Sequence, residues 1–322
     1  MTATGRTTTP VVALVGPTAT GKSDLGLALA ERLGGEIVNA DAMQLYRGMD
    51  IGTAKLSPAE RRGVVHHMLD VLDVDEDASV AAYQRAARAD LAVIAAHGGR
   101  PVVVGGSGLY VRALLDRMEL APVDPVVRAR LEARAREVGP GLLHDELAAV
   151  DPDAADRIGR ANTRRIVRAL EVIEITGRPY TATLPEQVYA RPTVQIGLDC
   201  ARDVLDERIE HRVAHMWARG LVDEVGGLAG RRMGRTAARA VGYAQVLALL
   251  RGEVTEPEAR AAVIAGTRRL ARKQMGWFGR DPRVHWLDSR APELVDRALD
   301  LVAQADAGRL VDPGVRRRTL GS

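Results

Sequence analysis

A glycine-rich segment near the N-terminus has the residue types needed to hold a phosphate group. Residues 11–23 read VVALVGPTATGKS, an apolar run followed by Gly-x-x-x-x-Gly-Lys-Ser. Glycines let backbone N–H groups converge on one point, and a helix that follows adds the positive end of its dipole. The spacing predicts a loop that binds a diphosphate or triphosphate, without showing that the ligand is a nucleotide, at Gly16, Pro17, Thr18, Ala19, Thr20, Gly21, Lys22 and Ser23. In such a loop, the Ser23 hydroxyl can bind a phosphate-bound Mg²⁺ ion.

A carboxylate follows the next apolar run along the chain. Asp41 opens the segment DAMQLY directly after GEIVN. Ligands of open α/β sheets bind at the carboxyl ends of the strands, so Asp41 is predicted to face the phosphate-binding loop. The alternative is that Asp41 only caps a helix N-terminus, which is a common role for aspartate.

A third candidate is the turn GGSGLY at residues 105–110, after the apolar run 101–104. ATP-hydrolysing P-loop proteins usually have an aspartate for Mg²⁺ at such a position. Here the only side chain offering a polar group at the strand end is the Ser107 hydroxyl. The glycines suit either the close approach of a ligand or a tight strand-to-helix turn, and both can hold at once.

Basic residues cluster in two later segments. One cluster lies on two predicted helices between residues 116 and 190 and comprises Arg128, Arg130, Arg134, Arg136, Arg164, Arg165 and Arg168. The other is TRRLARKQMGWF at 267–278, where Arg272 and Lys273 accompany Trp277. Such patterns suit the binding of a nucleic-acid strand. Acidic residues are interspersed in the first cluster, so a solvated helix surface remains the alternative there. For 267–278 the alternative is a plain amphipathic helix with Leu270, Met275 and Phe278 facing inward.

The elements that must position these groups are those of an α/β protein. Strands are predicted at 11–15, 35–39, 101–104, 194–199 and 283–288, and helices at 23–33, 79–97, 162–176, 205–219 and 258–278. The fold class is therefore a P-loop-type, mostly parallel sheet flanked by helices, with an all-helical insertion domain. The core is expected at 11–115 and 191–310 and the insertion at 116–190. Residues 1–10 and 311–322 are predicted to be a disordered lead-in and a disordered tail.

Composition excludes several classes of protein. The 322 residues are 46% hydrophobic and 27% charged, with a net charge of +3, and no apolar run is long enough to span a membrane. A single cysteine argues against a disulfide framework and favours a reducing, cytoplasmic location. His66 and His67 have no third ligand at fitting spacing, so we interpret them as structural and not as a zinc site. We expect a monomer.

Several segments together resemble one family, the bacterial tRNA dimethylallyltransferases. They are GPTATGKS at 16–23, DAMQLY at 41–46, MDIGTAK at 49–55, HHMLDV at 66–71, GGSGLY at 105–110, NTRRIVRALEVIEITGRP at 162–179, RAVGYAQ at 239–245 and TRRLARKQMGWF at 267–278. The resemblance covers nearly all of residues 11–290 in order. Two positions differ from the usual family pattern: Ala42 stands in place of Ser and loses a hydroxyl, whereas Ser107 in place of Thr keeps one.

The resemblance implies transfer of a dimethylallyl group from dimethylallyl diphosphate to N6 of adenosine 37, with Mg²⁺ as cofactor and the tRNA anticodon stem-loop as partner. It implies Asp41 as general base, Ser107 as an orienting group and Arg239 as a stabiliser of the leaving diphosphate. The implied tRNA-binding residues are Asp41, Ala42, Met43, Gln44, Ser107, Arg128, Arg164, Arg165, Arg168, Tyr243, Arg272, Lys273 and Trp277.

Three other functions stay open on the sequence. The phosphate-binding loop equally suits an ATP-dependent nucleoside-type kinase, which the long basic insertion and the missing second acidic Mg²⁺ ligand disfavour. A prenyltransferase acting on free adenine nucleotides is a related alternative. A non-catalytic RNA-binding or nucleotide-switch protein accounts for the arginines but leaves Asp41 and Ser107 without a role.

Overall fold

The computed structural model describes residues 9–180, 187–314 and 318–320. The chain forms two compact units, which we call the core unit, Met1–Asp116 with Tyr189–Ser322, and the helical unit, Arg117–Val188. The predicted insertion at 116–190 has almost the bounds of the helical unit. Of the predicted lead-in and tail, residues 1–8, 315–317 and 321–322 lie outside the described residues.

The core unit is built on one six-stranded sheet. Its strands are β1 (Val11–Val15), β2 (Gly35–Asn39), β3 (His66–His67), β4 (Arg100–Val104), β5 (Thr193–Asp199) and β6 (Val284–Asp288). Their order is β3-β2-β4-β1-β5-β6, and every paired strand is parallel to its neighbour, with Val12 opposite both Val102 and Val194. The predicted parallel α/β class is confirmed. The five predicted strands are present within one residue, and the two-residue β3 was not predicted.

Helices of the core unit connect and cover these strands. They are α1 (Lys22–Leu33), α2 (Val80–Ala96), α3 (Gly108–Leu115), α7 (Arg202–Ala218), α8 (Leu221–Ala229), α9 (Arg235–Ala238), α10 (Tyr243–Leu250), α11 (Glu256–Phe278) and α12 (Leu294–Asp306). The helical unit contains α4 (Pro125–Val150), α5 (Pro152–Arg157) and α6 (Thr163–Thr176). Local signals set several ends: Ser79 Oγ caps α2 at Ala82 N–H, and Gly177, at φ 65°, ends α6.

The central strand β1 shows why the sheet must be covered on both faces. Its five residues are all buried, and alternate side chains point to opposite faces. Val11, Ala13 and Val15 pack with residues of α2 and α3, whereas Val12 and Leu14 pack with α1 and α12. The apolar run thus places the 16–23 loop at the carboxyl edge of a sheet with helices on each side.

A second apolar cluster supports the segment after β2. Residues of α7, α8, α10 and α11 surround Tyr46 and Met49, both fully buried. On α11, Met275 and Phe278 are buried as the amphipathic alternative requires, but Leu270 is 37% exposed. The prediction that Leu270 faces inward is wrong because its position on the helix lies on the solvent side, next to basic residues.

The helical unit has its own core. Leu131, Leu143, Leu147 and Ile166 are buried where α4, α5 and α6 pack together. The long α4 is two helices in sequence, because Gly139 is non-helical at φ 80° before Pro140. The unit therefore folds around aliphatic contacts that are internal to it.

The chain leaves the core unit after Asp116 and re-enters it at Tyr189, and both ends are fixed by Arg283. The Arg283 guanidinium donates to Asp116 Oδ1 at 2.8 Å and lies 3.9 Å above the Tyr189 ring. Arg112 Nε donates to the same carboxylate at 2.6 Å. Burying these charges is tolerable because they are hydrogen-bonded to one another.

The described part of the tail differs from the prediction of disorder. Arg318 N–H donates to the Gly279 carbonyl at 3.1 Å, and Leu320 packs beside Cys200. In the described ranges, no helix has both the length and the apolar character to cross a membrane.

Candidate active site

The 16–23 loop curls tightly between β1 and α1. Gly16 has φ 128°, and a Cβ there would lie 2.5 Å from the Leu198 carbonyl oxygen, so only glycine fits. Gly21 precedes α1 at φ 85°, and no side chain caps the helix. The N–H groups of the first turn therefore stay available for a bound anion.

Lys22 lies at the start of α1 with its ammonium folded back onto the loop. Its Nζ donates to the Pro17 carbonyl, which also accepts from Thr20 Oγ1 at 2.8 Å. Burial and then the positive charge of Arg212 lower the pKa of Lys22 to about 7, against an opposing effect of Asp41. The charges of Arg212 and Asp41 thus both act on the lysine of the loop.

Asp41 lies where β2 ends, and the side chain of Asn39 fixes its backbone. Asn39 Oδ1 accepts from Asp41 N–H at 2.9 Å, and Asn39 Nδ2 donates to the Asp41 carbonyl at 3.0 Å. One carboxylate oxygen of Asp41 accepts from Met43 N–H at 2.9 Å. Asp41 thus closes a local turn with Met43, and its charge acts on Lys22. No helix begins at residues 41–46, so the alternative that Asp41 caps a helix N-terminus is wrong, and its catalytic role stays a prediction. Asn39 is a positioning residue that the sequence analysis missed.

Ser107 joins the turn after β4 to the segment after β2. It precedes α3 but does not cap that helix; its Oγ instead accepts from Ala42 N–H at 3.0 Å. Ser107 N–H donates to the Ala40 carbonyl at 3.3 Å. The structure thus brings together Ser107 and the residue next to Asp41, as the shared carboxyl edge of the strands predicts.

Helix α11 braces both turns from the other side. Thr18 N–H donates to Gln274 Oε1 at 2.8 Å, and Gln274 is buried. A Cβ on Gly106 would come 2.2 Å from Gln274 Nε2, and one on Gly108 would come 2.2 Å from the Trp277 ring. The glycines of the turn are needed for this close packing. Gln274 is a second residue that the sequence did not reveal, because its partner Thr18 is at the other end of the chain.

The outer face of α11 carries an exposed basic concavity. Its volume is about 380 Å³, and it is lined by Arg269, Arg272, Lys273, Gly276, Trp277 and Arg280. None of the four cations has an ion pair with another described residue. This surface therefore combines uncompensated positive charge with an aromatic ring, as a strand of nucleic acid requires.

The residues around Ser23 fit a Mg²⁺ ion that arrives with a phosphate. Ser23, Asn39 and Gln44 line a cavity of about 30 Å³. The rest of its wall consists of Ile37, Leu56, His66, Leu69 and Val104. Mg²⁺ prefers oxygen ligands and commonly binds through substrate phosphates and water with few protein groups. In the described part of the chain, no three His, Cys, Asp or Glu side chains are grouped to hold a metal. The polar side chains of this cavity thus suit an ion that arrives with its phosphate ligands.

The structure contradicts the predicted tRNA contact of Tyr243. This side chain is fully buried, and its hydroxyl donates to Glu224 Oε1 at 2.5 Å. Burial and the Glu224 carboxylate raise the pKa of Tyr243 above its usual value. The same carboxylate accepts backbone N–H groups of Ile51 and Gly52 at 2.7 and 3.2 Å. Tyr243 therefore supports the 49–55 segment from inside.

The other predicted RNA-contacting arginines differ in their surroundings. Arg128 and Arg168 both bond to the buried carboxylate of Glu171, at 2.7 and 2.8 Å. Arg164 and Arg165 are exposed at the start of α6 and have no ion pair in the described ranges. Arg239 is likewise exposed, at the end of α9. The roles predicted for these residues stay predictions.

The fold and these groups define a class: a P-loop-type α/β protein with a carboxylate and a serine beside its loop. A family model described as IPP transferase matches residues 44–281. The tRNA dimethylallyltransferase of Streptomyces avermitilis is 61% identical over 288 residues, 89% of this chain and 92% of that protein. The one from Thermobifida fusca is 61% identical over 301 residues, 91% of this chain and 94% of that protein. The chain belongs to the IPP transferase family.

Solved structures agree with this assignment. The tRNA isopentenylpyrophosphate transferase of Bacillus halodurans superposes with a TM-score of 0.70 at 37% identity, covering 94% of this chain and 98% of that one. A eukaryotic dimethylallyltransferase acting on tRNA has a TM-score of 0.81 at 23% identity, covering 96% of this chain and 81% of that one. At that identity the second likeness shows the fold alone.

Proposed function

We propose that this enzyme transfers a dimethylallyl group from dimethylallyl diphosphate to N6 of adenosine 37 in tRNA. The class of reaction follows from the family, since the chain belongs to the IPP transferases and its relatives are tRNA dimethylallyltransferases. The details of donor, acceptor atom and residues are our proposal. The observation that supports them best is the arrangement at the carboxyl edge of the sheet, where Ser107 Oγ accepts from Ala42 N–H, next to Asp41, and the uncapped helix α1 begins at the 16–23 loop.

On the donor side, the 16–23 loop would bind the diphosphate. No side chain caps α1, so the N–H groups of its first turn can bind the diphosphate, and Lys22 at the start of this helix adds a positive charge. Ser23 would hold Mg²⁺, which supplies further neutralisation of the diphosphate when bound. These groups stabilise negative charge as it develops on the leaving group.

On the acceptor side, Asp41 and Ser107 would hold the adenine. A bond forms between N6 and the allylic carbon of the donor, and the bond from that carbon to the diphosphate oxygen breaks. The proton on N6 passes to the Asp41 carboxylate, so the alkylated adenine carries no net charge. The diphosphate leaves with the electron pair of the broken bond. Ser107 Oγ accepts a hydrogen bond from the N–H of Ala42, the residue after Asp41. The hydroxyl hydrogen of Ser107 can then orient the adenine ring.

Contact with the RNA would come from exposed cations. Adenosine 37 is stacked in the anticodon loop, so it must be flipped out before N6 can react. Arg272, Lys273 and Trp277 line the α11 concavity, and Trp277 also packs on Gly108 next to Ser107. This concavity would therefore bind the backbone next to the flipped nucleotide. Arg164 and Arg165 are candidates for a second contact. A monomeric state and a cytoplasmic location stay predictions.

The test combines the purified chain with radiolabelled dimethylallyl diphosphate and a tRNA bearing A36-A37, followed by mass analysis of the nucleosides. We expect label in N6-(dimethylallyl)adenosine, and none in the same tRNA with guanosine at position 37. Label in free AMP would instead support the nucleotide prenyltransferase, and ATP turnover without RNA would support the kinase. Binding of tRNA with no product under any donor would contradict the proposal.

A further inference from the structure

One carboxylate that the proposed function does not use holds a turn next to the predicted tRNA-binding segment. Residues 50–54 form this turn, which we call the 50–54 turn. Glu224, on α8, accepts with Oε2 from the N–H groups of Asp50 and Ile51 at 3.0 and 2.7 Å. Its other oxygen, Oε1, accepts from Gly52 N–H at 3.2 Å. Three successive backbone donors of the turn are therefore bound by one side chain from a distant helix.

The carbonyl end of the turn holds the side chain of Gln44, which is one of the predicted tRNA contacts. Gln44 Nε2 donates to the Thr53 and Ala54 carbonyls at 3.1 and 3.4 Å. These two bonds fix the orientation of the amide, because a carbonyl only accepts and must meet the NH₂ group. The amide oxygen of Gln44 therefore faces away from the turn, where it can accept a hydrogen bond from a substrate.

A second link joins the turn to the same segment of the chain. Lys55 follows the turn and is buried, and its Nζ donates to the Tyr46 carbonyl at 2.8 Å. The same ammonium lies 2.6 Å from the carboxylate of Asp50. Because this ion pair does not involve Glu224, loss of Glu224 is expected to shift the turn without detaching it from the core unit.

We propose that Glu224 is a positioning residue for the acceptor side of the site, an inference that rests on the proposed function. Its carboxylate fixes the N–H end of the 50–54 turn against α8, and the carbonyl end of the turn then fixes Gln44. Hydrogen bonds to a carboxylate are stronger than those to a neutral acceptor, which suits a contact that must hold a turn in one place. Small displacements of groups that hold a substrate lower the rate strongly, so Glu224 acts on the reaction without contacting the substrate.

The experiment measures binding of a tRNA anticodon stem-loop to the full-length protein without donor, and then the KM for tRNA and for dimethylallyl diphosphate. We expect Glu224→Ala to weaken stem-loop binding and raise the KM for tRNA by about 5- to 20-fold, as loss of one or two positioned hydrogen bonds does. Glu224→Gln keeps one acceptor oxygen for the turn and should recover most of this loss.

The donor side of the site provides the contrast in the same experiment. The 16–23 loop is held from α11 by Gln274, and Arg212 reaches the turn only through a long contact of 3.5 Å with the Thr53 carbonyl. The KM for dimethylallyl diphosphate should therefore stay within about threefold of wild type. The matched control is Asp223→Ala, the exposed neighbour on α8, which should leave both KM values within about twofold of wild type.

A double-variant cycle tests whether Glu224 acts through Gln44. Glu224→Ala/Gln44→Ala should bind the stem-loop more tightly than the product of the two single losses predicts, because the turn no longer has a Gln44 side chain to place. Losses that multiply in the double variant would overturn the inference.

Stability and a second variant separate positioning from a purely structural role. Glu224→Ala leaves the Tyr243 hydroxyl and three N–H groups without their acceptor, so it should melt a few degrees below wild type. Lower activity with both KM values and stem-loop binding unchanged would assign Glu224 to structure and overturn the inference. Gly52→Ala removes no charge, but its Cβ would lie 2.5 Å from the Tyr243 ring and displace the turn. It should raise the KM for tRNA and not that for the donor, which gives the same test should Glu224→Ala not fold.

Binding of the stem-loop requires no reaction, so the two possible failures can be distinguished. If wild type binds the RNA and forms no dimethylallylated product, the proposed function is wrong, and the binding cycle still decides the role of Glu224. If wild type forms the product and Glu224→Ala binds the stem-loop within twofold of wild type, only the inference about Glu224 is wrong.

Discussion

Two groups of basic residues, one in each unit, differ in how their charges are paired. In the helical unit, five arginines pair with carboxylates: Arg128 and Arg168 with Glu171, Arg130 with Glu174, Arg134 with Glu146 and Arg160 with Asp145. In the core unit, the cations of the α11 concavity and Arg212 have no ion pair with any described residue. Similar sequence patterns thus give a group of paired arginines in one unit and a group of unpaired cations in the other.

The difference indicates which charges are available for an anionic substrate. The ion pair of an arginine must break before that arginine can bind a phosphate. An intact pair has no net charge and attracts a distant anion only weakly. Glu171 shows the structural use most clearly: burial would raise its pKa, but hydrogen bonds from Arg128, Arg168 and the Asp124 N–H lower it. Arginine counts in a sequence therefore overestimate the surface that can attract RNA.

The largest effect is expected at the carboxylate that faces the uncompensated cations. Asp41→Ala should lower single-turnover transfer by about 10²-fold or more, because the proton on N6 then has no base. The control is Asp73→Ala, an exposed aspartate that pairs with Arg47 at 3.1 Å, which should keep the wild-type rate. A near-normal rate in Asp41→Ala would remove Asp41 from the role of general base.

A smaller effect is expected on the α11 face. The double variant Arg272→Ala/Lys273→Ala should weaken tRNA binding by about tenfold near 0.1 M salt, and should reduce the slope of log K against log salt by about 1 to 2. Filter binding over a salt series measures both quantities. The same slope as wild type would mean that the α11 concavity does not contact RNA phosphates.

Much of the fold follows from local signals in the sequence. The apolar runs of β1 and β5, the Ser79 and Asn162 caps and the Gly177 stop fix elements within one to three residues, because each signal lies beside the element it limits. The edge of the sheet that carries Lys22, Asp41 and Ser107 follows as well, since parallel strands share one carboxyl end.

Other features depend on contacts between distant segments, which no local pattern encodes. Tyr243 looks like an accessible motif residue until Glu224 and Gly52 are seen around it. Arg212 looks like any charge on a polar helix, and Gln274 like one polar residue in a basic stripe. Their roles depend on Lys22, Asp41 and Thr18, which lie far away along the chain.

Within the helical unit, the comparison predicts a graded response among the arginines. Arg164→Ala/Arg165→Ala removes two exposed, unpaired charges and should weaken tRNA binding about threefold, with a slightly lower salt slope. Arg130→Ala/Arg134→Ala removes two paired charges and should change binding less than twofold. Equal losses in the two double variants, measured at one salt concentration, would show that pairing does not decide availability.

The smallest effect concerns two lysines of the core unit and depends on pH. Lys55 is buried with its Nζ 2.6 Å from both Asp50 and Asp70. In contrast, burial and then the positive charge of Arg212 lower the pKa of Lys22 from 10.5 to about 7. Because the folded state disfavours charged Lys22, the unfolded chain binds more protons between about pH 7 and pH 10. The cost of charging Lys22 is therefore fully present below pH 7 and is relieved as the pH rises.

Lys22→Met should accordingly melt roughly 1–3 °C above wild type at pH 6, and this difference should shrink toward pH 9. Lys55→Met should melt below wild type across that range, because it leaves Asp50 without a cation and Asp70 with only Arg61, at 4.0 Å. Melting curves of the three proteins at constant ionic strength provide the comparison. A difference between Lys22→Met and wild type that does not change with pH would mean that burial and Arg212 do not disfavour the charged form of Lys22 in the free protein, and that the site is not held ready for an anion.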